Sequence, residues 1–78
     1  MIENNSSMYF DDDIIDGINR TEREINESGR GIKVEAKICG EYPDMLEVLV
    51  NDKSEFNYAA DSEVYAYVCG IEKGLGIS

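Results

Sequence analysis

From Asp11 onward the apolar positions fall into a helical period. With Ile14 as origin, Ile15, Ile18, Thr21 and Ile25 share one stripe, while Asp16, Arg20, Arg23, Glu24 and Glu27 lie opposite. That spacing predicts an amphipathic helix. The aspartates at its start suit the positive end of the helix dipole, one of Asp11 to Asp13 can cap it, and Gly29 and Gly31 supply the stop. The period then changes to two. In IKVEAKI, Ile32, Val34, Ala36 and Ile38 alternate with Lys33, Glu35 and Lys37, the pattern of a strand with one wet face.

CGEYPD breaks that run with Gly40 and Pro43, and MLEVLV resumes it, with Leu46, Val48 and Val50 on one face and Met45, Glu47 and Leu49 on the other. The two strands form a hairpin. Asn51, Asp52 and Lys53 read as a tight turn into EFNYA, a short third strand expected to carry Phe56 and Tyr58 inward. After Ala60 the helical period returns. Asp61 or Ser62 caps a run in which Val64, Tyr67, Val68, Ile71 and Leu75 share a face, until Gly74 and Gly76 end it. The predicted fold class is α+β: a small single domain of order α-β-β-β-α, a three-stranded antiparallel sheet with two helices on one face. Residues 1–10 are expected to be a flexible N-terminal segment and residues 11–78 the domain.

Charge changes this picture more than size does. The 78 residues hold 17 Asp and Glu against 7 Lys and Arg, with no His and a net charge of −10. Such a chain repels nucleic acid and anionic membrane surfaces, so its natural partners are basic surfaces or cations. The start MIENNSSM lacks the basic flank and apolar run of a signal peptide, and no stretch approaches the length of a membrane span, so a cytoplasmic protein is expected. Cys39 and Cys69, far apart and without His partners, read as small buried hydrophobes or free thiols rather than zinc ligands.

The residue types exclude more chemistry than they supply. Without His, neither a Ser-His-Asp nor a Cys-His arrangement can be built. GIEKGLGIS follows a helix where phosphate-cradling loops precede one. A calcium loop begun at Asp12 places Asp16 and Gly17 correctly, but puts Ile14 at the third position and Arg23 at the twelfth. No enzymatic activity, metal or cofactor is therefore expected. Helix pairs four apart, Asp16 with Arg20, Arg20 with Glu24 and Arg23 with Glu27, account for part of the acidity. Glu41, Asp44, Asp52, Glu55, Asp61 and Glu63 stay uncompensated, more negative charge than solubility needs. On the sheet, Met45 and Leu49 point away from the helices and mark a second candidate contact face, Tyr42 offers amphipathic contact area in the hairpin turn, and Tyr58 and Tyr67 are assigned to the core.

The element order resembles that of the double-stranded RNA-binding domain. That family grips phosphate with lysines in a loop and at a helix start, where this chain has Asp61, Ser62 and Glu63, so RNA binding does not carry over. In short length, surplus carboxylates, absence of His and the ending FNYAADSEVYAYVCGIEKGLGI, the whole chain resembles the small acidic proteins of bacteriophages and mobile elements, including anti-CRISPR and anti-restriction proteins. The resemblance implies a non-enzymatic inhibitor acting in a bacterial host cell. It would set carboxylates against the basic surface of a nucleic-acid-binding complex, foremost a CRISPR effector, without touching nucleic acid or membrane itself. The contacts so implied are Asp11, Asp12, Asp13 and Asp16 on the first helix and Glu41, Asp44, Asp52 and Glu55 in the turns, with Tyr42, Met45 and Leu49 as apolar partners. The alternative is a structural or regulatory interaction module, a homodimer or small subunit, whose acidity serves solubility.

Overall fold

A computed structural model describes residues 2 and 9–76. It contains α1 (Asp12–Asn26), β1 (Val34–Ile38), β2 (Leu46–Val50), β3 (Lys53–Ala59) and α2 (Asp61–Gly74), the α+β order that the periodicities predict. The strands lie in the order β1-β2-β3, antiparallel throughout. Ile15, Ile18 and Ile25 of α1 and Val64 and Val68 of α2 share one buried cluster with Val34, Ala36, Leu46, Val48 and Ala59 of the sheet. Both helices therefore cover the same face.

Local chemistry explains each boundary. Asp11 is the N-cap of α1, its Oδ1 accepting the backbone N–H of Asp13 at 2.9 Å and of Ile14 at 3.4 Å. Beyond the helix, Gly29 and Gly31 take φ of +73° and +77°, a backbone region that other residues avoid. The turn between β2 and β3 is two residues long, with Asn51 and Asp52 both at positive φ, as a type I′ hairpin turn requires.

Three side chains of the sequence reading fall elsewhere. Tyr58, expected in the core, is 56% exposed. The pairing with β2 steps from Leu46↔Ala59 to Val48↔Phe56 to Leu49↔Ser54, so β3 carries an irregularity on each side of Phe56. The extra residue before Ala59 reverses the alternation, turning Ala59 inward and Tyr58 out. Ile2 and Phe10, assigned to a flexible segment, are buried in the core. Asn19 holds Ile2 there, donating from Nδ2 to its carbonyl at 2.7 Å and accepting its N–H at 2.8 Å. For residues 1 and 3–8 that expectation lies outside the described residues. Tyr67 is half-buried against the core, its ring edge-on to Phe56 at 4.7 Å.

The helices run side by side in the same direction. The Asp11 N–H donates to Asp61 Oδ2 at 3.0 Å, Gly17 lies against Tyr65, and Glu24 meets Glu72. A Cβ on Gly17 would stand 2.8 Å from Tyr65 Cε1, so this glycine sets how closely the helices approach. α1 also runs antiparallel to β1 and seals its outer edge. Glu22 Oε1 accepts the Ala36 N–H at 2.7 Å, and Asn26 accepts the Val34 N–H at 2.7 Å while donating to its carbonyl at 2.9 Å.

Candidate binding surface

This topology sorts the acidic residues by end. Parallel helices place both N-termini beside the β1–β2 turn and the end of β3, which gathers Asp11, Asp12, Asp13, Asp61 and Glu63 with Glu41 and Asp44. No Lys or Arg lies in 9–13, 40–45 or 58–63, the segments that form this end. At the other end the helix C-termini and the β2–β3 turn mix Glu27, Asp52 and Glu55 with Arg30, Lys33, Lys53 and Lys73. The molecule is polarised along its length.

Of the residues that the sequence marks as contacts, Asp11, Asp12, Asp13, Glu41, Tyr42 and Asp44 are thus brought together, with Asp16 one turn further along α1 and Met45 closing the turn. Asp52 and Glu55 stand at the far end. Met45 and Leu49 are only half-exposed, and their outer sheet face is crossed by an ion pair between Lys37 Nζ and Glu47 Oε1 at 3.2 Å.

The carboxylates of the acidic end do different things. Asp11 caps α1. Asp61 accepts the N–H groups of Asp11 and Ser62, and Glu63 reaches back to the Ala60 N–H at 3.4 Å. These three satisfy helix starts, where the dipoles favour negative charge by about 0.3–1 kcal/mol each. Asp12, Asp13, Glu41 and Asp44 are exposed and make no such backbone bond among the described residues. Among the described residues these four carboxylates have no such structural role at a helix start.

Beside them, Tyr42 and Tyr58, 48% and 56% exposed, meet edge to face with centroids 5.2 Å apart. Tyr58 borders a shallow depression of about 280 Å³ that is also lined by Cys39, Gly40, Glu41, Glu47 and Asn57. The alternating pattern could not reveal Tyr58 as a surface residue, because the bulge that re-aims it leaves no mark in residue type.

Two buried acids also escape the sequence reading. Glu22 covers the β1 edge, and Glu72 is buried between the helices with Oε2 lacking a hydrogen-bond partner among the described residues. A shared proton with Glu24, then burial, then the Glu24 charge push the Glu72 carboxyl above the usual glutamate range, with Arg20 opposing in part. A signal existed for Glu22, which eight residues beyond Ile14 returns to about 80° on the wheel, inside the apolar stripe; Glu72, at the same angle from Val64, lies past Val68 at the edge of its stripe. At the far end, burial and then Glu55 raise the Tyr67 hydroxyl.

Among the described residues no group of three or more His, Cys, Asp or Glu is placed to hold a metal ion, and no helix is long and apolar enough to cross a membrane. No protein-family model, curated protein or solved structure matches the chain.

Proposed function

We propose that the protein is a non-enzymatic binding protein that docks its acidic end on the basic, phosphate-gripping surface of a nucleic-acid-binding complex and so competes with DNA or RNA. One observation carries this reading: Asp12, Asp13, Glu41 and Asp44, carboxylates that make no bond to the backbone among the described residues, share one end of the molecule with no Lys or Arg in its segments. Charge of one sign concentrated on one surface steers association with the opposite sign and raises the encounter rate. A CRISPR effector is the foremost target class, on the strength of the general likeness to small acidic phage proteins.

A pull-down of the tagged protein from a bacterial lysate containing CRISPR and restriction complexes, washed at rising salt, tests this. The expected result is capture of a nucleic-acid-binding complex that is released by salt and by competing DNA. Capture of the protein's own copies alone would instead favour a homodimeric module. That second reading rests on β3, which lies at the sheet's edge and, unlike β1, is not reached by the hydrogen bonds of α1. Light scattering would then report a dimer mass that persists in high salt.

A further inference from the structure

The depression beside Tyr58 has a composition that selects its occupant. We infer that it receives a single arginine side chain of the partner protein. This deepens the binding reading above and rests on it for the partner's basic character. At about 280 Å³ the depression lies at the lower limit of pockets that enclose whole small ligands, and suits one side chain better. Its wall combines two carboxylates, Glu41 and Glu47, with the ring of Tyr58. Carboxylate beside exposed aromatic ring is the chemistry of cation capture, through charge and through the ring quadrupole.

The placement of the ring is a product of the fold. Without the irregularity in β3, Tyr58 would face the core with Phe56; with it, the ring turns out over the depression, and Tyr42 from the β1–β2 turn braces it at 5.2 Å. Cation binding at this wall already occurs within the molecule, where Lys37 Nζ pairs with Glu47 Oε1 at 3.2 Å. Arginine fits better than lysine. Its planar guanidinium stacks on a ring while its fork of N–H donors reaches carboxylates at the edge, whereas an ammonium does one or the other.

The test is titration of the intact protein, followed by amide resonances in NMR, with three blocked peptides: Gly-Arg-Gly, Gly-Lys-Gly and the uncharged isostere with citrulline at the centre. The expected result is saturable shifts at Gly40, Glu41, Glu47, Asn57 and Tyr58 with the arginine peptide. Its affinity should fall at least about threefold in Tyr58→Ala and in Glu41→Gln, both exposed positions, with the lysine peptide weaker by a similar factor and the citrulline peptide silent. Three results would each overturn the inference: no saturable shift, equal binding of the lysine or citrulline peptide, or shifts centred on Asp12 and Asp13. The wider docking reading fails separately, by unchanged partner capture after charge reversal at Asp12 and Asp13, which lie outside the depression.

Discussion

At the residue scale, burying Glu72 opposite Glu24 makes stability depend on pH. The folded state holds the Glu72 proton to a higher pH than the unfolded chain does. Stabilisation from the protonated pair is therefore present below the unfolded value and is lost as pH rises through the folded one. Once that proton is lost, the two carboxylates of Glu72 and Glu24 face each other between the helices. Glu72→Gln keeps the shape and the hydrogen bond without the charge, so it should raise Tm at pH 7 by about 2–5 °C. The gain should shrink toward pH 4, as thermal melts of both proteins across that range would reveal; a gain equal at all pH values would contradict the protonation argument. Glu22 acts differently, because its oxygen takes an N–H that would otherwise be buried unpaired. Glu22→Ala should cost about 1–3 kcal/mol in urea unfolding, and Glu22→Gln, which keeps a carbonyl there, clearly less.

At the scale of elements, the close approach of α1 and α2 rests on Gly17 under Tyr65. Alanine in a helix interior is favoured over glycine by about 1 kcal/mol, yet here the new methyl meets an aromatic ring. Gly17→Ala is therefore expected to destabilise the protein by about 1–2 kcal/mol, and to stabilise it once Tyr65→Ala has removed the obstacle. A double-mutant cycle measured by denaturant unfolding reads that change of sign. Much of this architecture was legible beforehand. Ile15, Ile18 and Ile25 at one period and Val34, Ala36 and Val48 at another declare helix and strand through burial alone, and each proves fully buried. Pattern fails where geometry departs from period: the irregularities beside Phe56 invert Tyr58, and Glu22 and Glu72 are buried within or beside apolar stripes because an edge strand and a second helix meet them there. The acidic residues themselves were visible in the sequence. Their division into two ends was not, since it follows from the parallel packing of the helices.

At the scale of the whole molecule, one charge distribution gives salt two opposite effects. A net charge of −10 on 78 residues repels itself, so screening by added sodium chloride should raise Tm. The same screening should weaken attachment to a basic partner. A thermal melt and a binding measurement over about 0.05–0.5 M salt should thus move in opposite directions. A binding curve that strengthens with salt would point to an apolar interface instead.

The most direct test compares capture by three baits from one lysate: the natural protein, a variant with Asp12, Asp13, Glu41 and Asp44 changed to lysine, and a control with Asp52 and Glu55 changed to lysine. All four positions of the first variant are exposed, and their side chains make no bond to the backbone among the described residues, so its fold should survive, as circular dichroism would verify. The acidic-end account predicts that the natural protein and the far-end control capture the same nucleic-acid-binding complex, while reversal at the acidic end abolishes capture. Equal capture by all three would contradict it.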